Sequence, residues 1–394
     1  MNKLFYLLSV AALCMSAPSV TAAEAEGAAE AEQSRFSIKP MARLLADGAV
    51  YAPDGQGFTD GVTLSDIAVG VTAGYGKWSG RVDLGFGYFK FAMKDVYVQY
   101  KFNDRHLLRL GYFMQQFGLQ AAYSKSMKPT FENPVSDSYM GATPRELGLM
   151  YNMSLPRYFM GLSATFGTIG DLSAEKVIRP QIGALGRFVW RPVAREGAVA
   201  QIGVSAWYQS PLYKRSNEDG KGSFNFSANY PTRVAKVKML GATLQHAGNQ
   251  LLVTPELLVS YGRFALQSQY YYMNVRRHRG LPAYEAQGAY VWLHCLLLGD
   301  RSYKYASSVA GLATPGPGTL ELVAGYDYTN GSHKDVHGGI SNDVHVSLNY
   351  YINKYLLARL GWRYATARDS QALMADFGGR HHVNIIQARI QFRF

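Results

Sequence analysis

From residue 36 to the last residue, apolar and polar side chains alternate with a period of two, broken at intervals by turn residues. In the final segment Ile386, Ala388, Ile390, Phe392 and Phe394 share one face, while Gln387, Arg389, Gln391 and Arg393 share the other. Just before it, Leu356, Ala358, Leu360, Trp362 and Tyr364 oppose Arg359 and Arg363; further back, Ile182, Ala184, Phe188 and Trp190 oppose Arg187 and Arg191. Successive side chains of a strand point to opposite faces, so the pattern predicts β-strands throughout. The expected strands run near 37–50, 62–75, 78–88, 92–102, 106–113, 145–154, 158–167, 181–192 and 198–209. They continue near 223–230, 233–246, 250–261, 263–275, 284–298, 319–329, 342–352, 355–365 and 383–394. That makes about eighteen, or about sixteen if the weak pair around 223–233 merges.

The connections alternate in length. Gly76-Lys77, Asn103-Asp104-Arg105, Leu155-Pro156-Arg157 and Asn353-Lys354 are tight turns, and between them fall longer segments at 52–61, 114–144, 167–180, 210–222 and 366–382. Short turns on one side and long loops on the other characterise an up-and-down barrel in an outer membrane. The link 299–318 departs from this rule, being long on the short-turn side. A soluble sandwich would charge its outer face, whereas these apolar faces are almost free of charge. A Lys or Arg facing lipid at the midplane costs about 2–4 kcal/mol, so the basic faces are expected to line the interior. Aromatic residues gather at strand ends (Tyr75, Trp78, Tyr88, Tyr100, Phe102, Trp190, Tyr350 and Tyr364) where interfacial girdles sit. An open sheet edge in hydrocarbon would strand backbone donors and acceptors, so the sheet must close. The expected fold is all-β: a closed antiparallel transmembrane β-barrel of 16–18 strands, wide enough to hold water.

Composition refines this picture. Lys3, the apolar run Leu4 to Leu13 and the small residues Val20, Thr21, Ala22 and Ala23 read as an export signal, so residues 1–23 are expected to be a signal peptide. Residues 24–35, an Ala/Glu stretch without an apolar face, are expected to be a flexible N-terminal segment, and 36–394 one barrel domain. Cys295 would then stand alone, without an internal disulfide. Tyr (28) and Gly (40) are abundant, and the net charge is +12; a basic excess suits nucleic acid, lipopolysaccharide phosphates or anionic solutes. Alternation of the basic residues with lipid-facing aromatics argues against nucleic acid.

The strand registers give an inward basic set of Arg81, Lys101, Arg109, Arg187, Arg191, Lys236, Lys238, Arg263, Arg359, Arg363, Arg389 and Arg393. Fewer acids share those faces: Asp66, Asp83, Asp95, Glu256, Glu285, Glu321, Asp327 and Asp343. The long segment 114–144 adds Lys125 and Lys128, with Arg145 at its exit and Glu132 and Asp137 opposing. Fixed positive charge in a narrow aqueous channel raises the local anion concentration. The pore-lining, anion-binding candidates are therefore Lys125, Lys128, Arg109, Arg145, Arg187, Arg359, Arg363, Arg389 and Asp95. His333 with His337, and His381 with His382, have spacings a metal could use but fall in expected loops without supporting carboxylates. The sequence carries no GxSxG, Walker A, HExxH or paired-cysteine motif. No catalytic residue, metal or cofactor is expected.

Lys94-Asp95-Val96-Tyr97, then Leu108-Arg109-Leu110-Gly111-Tyr112-Phe113 and Phe117-Gly118-Leu119, resemble the phosphate-selective porins O and P. There the pattern is K-D-A-Y, a short turn, and R-L-G-Q/Y-F-K-x-P-F. Tyr261 to Gln267 is similar to that family's Y-G-P-F-S-L-Q hairpin, and Leu298-Gly299-Asp300-Arg301-Ser302-Tyr303 to its T-G-E-x-R-x-Y. The aromatic terminus Phe394 is similar to the assembly signal of outer-membrane proteins generally, which implies recognition by the barrel-assembly machinery. The likeness spans 36–394 and implies a trimeric, sixteen-stranded porin in which 114–144 folds into the lumen as a constricting loop. Two stretches depart: Leu64-Ser65-Asp66-Ile67 stands where the family has paired arginines, and Met114-Gln115-Gln116-Phe117 replaces K-x-P-F.

The reading that follows is a passive, weakly anion-selective diffusion channel of the bacterial outer membrane for small solutes, phosphate among them. Its partners would be lipid and lipopolysaccharide, small anionic solutes and two further copies of the chain. The alternative is a barrel acting in adhesion or surface recognition through its long loops.

Overall fold

Sixteen antiparallel strands close into a barrel in the computed structural model. It describes residues 36–394 apart from 53–56, 88–89, 143, 169–176 and 215–220; the expected signal peptide and N-terminal segment lie outside the described residues. In chain order the strands are β1 (Ser37–Ala52), β2 (Gly61–Tyr75), β3 (Trp78–Gly87), β4 (Lys90–Asn103), β5 (His106–Met114), β6 (Arg145–Ser154), β7 (Tyr158–Thr165) and β8 (Val177–Arg179). Next come β9 (Gly183–Arg195), β10 (Ala198–Gln209), β11 (Leu212–Lys214), β12 (Gly222–Asn229), β13 (Lys238–Gln245), β14 (Ala247–Tyr261) and β15 (Phe264–Arg277). The last are β16 (Tyr284–Leu298), β17 (Tyr305–Ala306), β18 (Gly311–Leu312), β19 (Thr319–His333), β20 (Val336–Tyr351), β21 (Leu356–Ser370) and β22 (His381–Arg393). The wall runs β1–β7, β9, β10, β14–β16 and β19–β22, and β22 returns to β1 with Asp47 opposite Arg389.

The wall is turned inside out relative to a soluble protein. On β22, Ile386 and Ile390 are 50% and 52% exposed, whereas Gln387 and Arg389 keep 4% and 2%. Lipid replaces water outside, so apolar side chains face outward and polar ones inward. Rings cluster at the tight-turn rim: Trp78 lies 4.9 Å from Tyr100, and Tyr100 lies 5.1 Å from Phe102.

Two of the expected strands, 223–230 and 233–246, do not enter the wall. They form the hairpin β12–β13, which joins β11 and β8 in a separate four-stranded sheet. Its apolar face, Phe224, Phe226, Tyr230, Leu240 and Leu244, is buried against other protein, and period-two alternation cannot tell such a surface from lipid. The hairpin leaves the wall between β10 and β14 and reaches β1 and β22, half the strand order away. There Tyr51 and Thr232 share a 2.9 Å hydroxyl hydrogen bond, and Gln387 donates to the Pro231 carbonyl at 3.3 Å.

The expected loop between 329 and 342 is also mostly strand, since β19 and β20 run to a tight turn at Lys334 and Asp335. Gly331 and Gly338 face Tyr139 so closely that a Cβ at either would collide with its phenol. The glycines that suggested a loop instead make room for a ring.

Residues 115–142 are bonded to inward-facing groups around half the wall. The Gly118 amide donates to Ser205 Oγ at 3.0 Å and the Gln120 amide to Gln269 at 3.1 Å. Ser136 donates to Asp327, Tyr271 to Asp137, and Asn349 to the Pro129 carbonyl at 2.9 Å. Gly118 has φ +68, and a Cβ there would strike Gln269, so only glycine lets the backbone press this close. The link 299–318 approaches the same segment from the tight-turn side. Arg187 holds its Val309 and Ala310 carbonyls at 3.0 and 3.1 Å, and the Leu312 amide donates to Tyr123 at 3.0 Å.

Candidate functional site

Charged residues on the inner surface fall into two groups according to what packs on them. From β1 to β6 the basic side chains remain partly open, while Asp66 and Asp83 are buried beneath them. Arg43 pairs with Asp66 at 2.6 Å, and Lys94 shares the same carboxylate. Arg81 bonds Asp83 and lies 3.9 Å from Asp95, which also receives Arg145 at 2.7 Å. Arg109 donates to Gln99 at 2.8 Å and stacks over the Tyr97 ring at 4.1 Å; it has no ion pair among the described residues. Five carboxylates on the same strands, Asp47, Asp66, Asp83, Asp95 and Glu146, match these five cations in number; Asp47 and Glu146 are buried and bonded to Arg389 and Gln209.

Lys125 stands opposite, on the segment between β5 and β6. It is half-buried and has no hydrogen bond or ion pair among the described residues. Arg233, Asp66, Glu132 and Lys94 act on it, and burial, reinforced by the Arg233 guanidinium, pulls its ammonium down to about 7. Arg233 itself is clamped by Glu132. Lys128 differs: it is buried and donates to the Gln120 carbonyl at 3.2 Å and side chain at 3.1 Å. Burial pulls it down to about 8, with Asp137 and Glu132 resisting.

Arg187, Arg191, Arg359, Arg363 and Arg389 are buried, whereas Lys101 is exposed at the end of β4 and Arg393 is half-buried. Arg187 grips Glu256 through two bonds of 3.0 and 2.7 Å, with neither side chain exposed. Arg359 donates to the Lys128 carbonyl at 2.7 Å, to the Thr130 carbonyl and to Asn349. Arg363 lies 3.4 Å from Asp343, and Arg389 joins Asp47 at 2.8 Å and the Phe131 carbonyl at 3.1 Å. Paired, hydrogen-bonded geometry of this kind is what a buried charge requires.

Four residues read from the sequence as inward lie elsewhere. Lys236 and Lys238 belong to the β12–β13 hairpin region, Arg263 caps the Leu296 and Leu297 carbonyls at a tight turn, and Glu285 lies exposed near a strand end. Register extrapolated past a turn loses its meaning there. Arg43, Asp47 and Arg233 complete the charge network without having been singled out. Asp47 shares its face with Leu45, Ala49 and Tyr51, and that apolar company concealed an inward position. His337 pairs with Asp369 at 2.8 Å and His333 accepts the Glu285 amide, so both hold the end of the β19–β20 hairpin to its neighbours. Among the described residues no cluster of metal-ligating side chains forms.

No curated protein matches the sequence significantly. Solved structures with a similar fold include a loop-deletion mutant of OmpT from Vibrio cholerae, with TM-score 0.60, 8% identity and coverage of 91% of this chain and 99% of that one. An anion-selective porin from Comamonas acidovorans has TM-score 0.57 and 11% identity, covering 91% and 100%. The outer membrane channel DcaP of Acinetobacter baumannii has TM-score 0.55 and 11% identity, covering 91% and 97%. A trimer form of OmpT also matches, with TM-score 0.57, 8% identity and coverage of 91% and 99%. At these identities the likeness concerns the fold. The family pattern described as phosphate-selective porin O and P matches residues 66–394. The chain belongs to that family, as a channel-forming β-barrel of the bacterial outer membrane.

Proposed function

We propose that the chain forms a passive, weakly anion-selective, water-filled diffusion channel for small solutes, inorganic phosphate among them. The observation that carries this reading is Lys125, an amine with no hydrogen bond or ion pair among the described residues, facing a wall on which Arg43, Arg81, Lys94 and Arg145 keep part of their side chains exposed while Asp66 and Asp83 are buried. In this reading residues 115–142 fold into the lumen and narrow the path, so that a passing ion comes within reach of these charges. Anions then concentrate at the constriction without tight binding, because carboxylates neutralise much of the wall. No step in the process requires a catalyst or cofactor.

The mature protein would be residues 24–394 after removal of the 1–23 signal peptide, with 36–394 forming the barrel. Phe394, half exposed and hydrogen-bonded to the Ala42 backbone beside the barrel's closing seam, suits recognition by the assembly machinery. A homotrimer is supported by the family and by the trimer form of one structural neighbour.

The test is reversal potential and single-channel conductance in planar bilayers across a KCl gradient, with phosphate added. Anion-leaning current reduced by low phosphate supports the reading in full. Current indifferent to phosphate removes phosphate from it, and cation-leaning current overturns the assignment of Lys125.

A further inference from the structure

We propose that the outer end of β21 and β22 binds the lipid A phosphates of lipopolysaccharide. On β21 the outward face carries Leu360, Trp362, Tyr364, Thr366 and Arg368; the first three are 56%, 42% and 36% exposed. Tyr364 is the last outward ring of β21 on the long-loop side. Arg368 follows four residues later on the same face, about 10 Å further along the axis of a tilted strand. That distance carries it from the edge of the hydrocarbon to the level of lipid headgroups.

The neighbouring strand brings a second cation to the same place. Thr366 pairs with His382 and Ala367 with His381, and the Ser370 amide donates to Gly379 at 3.2 Å, so Arg380 lies beside Arg368. Arg368, Arg380 and His382 are all exposed. Neither arginine has an ion pair among the described residues. The adjacent Asp369 carboxylate bonds His337 at 2.8 Å and interacts with Arg368 only through their charges. Below them, Asn384 accepts a hydrogen bond from the Trp362 indole at 3.2 Å, and the His382 ring lies 6.2 Å from Tyr364. A rigid pair of strands thus presents, in order, apolar surface, ring, amide and paired guanidinium groups.

Lipopolysaccharide offers the complementary sequence. Its acyl chains meet the apolar band, and its phosphates lie at the sugar–acyl boundary of the outer leaflet, the leaflet on the long-loop side. Guanidinium forks match phosphate geometry, and basic residues at a membrane surface attract anionic headgroups. The outward direction of these side chains separates them from the lumen, so the site is independent of solute passage.

The experiment measures binding of bisphosphorylated lipid A to the purified full-length barrel in detergent, by native mass spectrometry and by the shift in unfolding temperature. Arg368→Glu/Arg380→Glu is expected to weaken binding at least about tenfold. Arg368→Gln/Arg380→Gln should show the same direction with a smaller loss. Arg105→Glu/Arg157→Glu, the same charge change at the exposed tight-turn rim, should leave binding intact. Single-channel conductance should be unchanged in the Arg368/Arg380 variants, which also shows that they fold. Equal binding by both Arg368/Arg380 variants and wild type, or equal binding of dephosphorylated lipid A, overturns the proposal. Full displacement by millimolar inorganic phosphate would assign the site to free phosphate and overturn it as a lipid site.

Discussion

Arg81 and Arg145, on the wall from β1 to β6, keep 28% and 32% of their side chains exposed, whereas Arg187 and Glu256, on β9 and β14, keep none. Both sets sit among the charged residues of the same barrel interior. The difference lies in what covers them: water on the first wall, and residues 115–142 with the link 299–318 on the second. A charge in water interacts weakly with its neighbours and stays free to act on a passing ion. A charge under protein must be paired, and once paired it works as a strut. Lumenal position alone therefore does not make an arginine a selectivity residue.

The largest expected effect tests the packed wall. Glu256→Gln would leave the Arg187 guanidinium buried without its carboxylate, at a cost of about 3–5 kcal/mol. Asp95→Asn, on the open wall, should cost no more than about 1 kcal/mol, because Arg145 can turn to water. Equilibrium unfolding in urea with the barrel reconstituted in thin bilayers measures both. Equal losses for the two variants would mean that the walls do not differ in the way their exposure indicates.

The open wall gives the next largest effect. Lys125→Glu reverses a charge that makes no ion pair among the described residues, so the anion-to-cation permeability ratio should fall several-fold in 0.1 M KCl. The shift should shrink in 1 M KCl as the screening length contracts to about 3 Å. Lys128→Glu should move the ratio far less, since Lys128 points into Gln120 rather than toward the opposite wall. A larger shift from Lys128 than from Lys125 would exchange their roles.

How much of this was readable in advance follows the same division. Alternation alone identified the strands, because lipid outside and polar groups inside impose period two on every wall segment. It failed at 223–246, where the same period describes a hairpin packed on protein, and at Gly331 and Gly338, where glycine accommodates Tyr139 instead of making a loop. Parity placed Arg187, Arg359, Arg363 and Arg389 on buried faces of the wall, but it misplaced Lys236, Lys238, Arg263 and Glu285. The partners of the buried set were not legible: Glu256 beside Arg187 is 69 positions distant, and Asp47 beside Arg389 is 342. The second comes from closure of the sheet and the first from the β11–β13 insertion between β10 and β14, and no local pattern encodes either. Nor does composition separate Lys125 from Lys128, three residues apart, one among the charges of Asp66, Lys94 and Arg233 and one folded back on Gln120.

The smallest effect asks whether Lys125 works as a titratable charge. Its ammonium is held near 7, well below the ordinary lysine value, chiefly by burial and then by Arg233. Below that pH the group carries its proton and its positive charge; above it the charge is lost. Anion preference should therefore decline as pH rises from 5.5 to 8.5, by about twofold for one partly screened charge. Lys125→Gln should flatten the decline at the weaker, high-pH level, and Lys125→Arg should flatten it at the stronger, low-pH level, because a guanidinium does not titrate in this range. Reversal potentials at four pH values distinguish these outcomes. A decline that persists in Lys125→Gln would place the titrating group elsewhere, and the open wall would then owe its selectivity to its paired arginines.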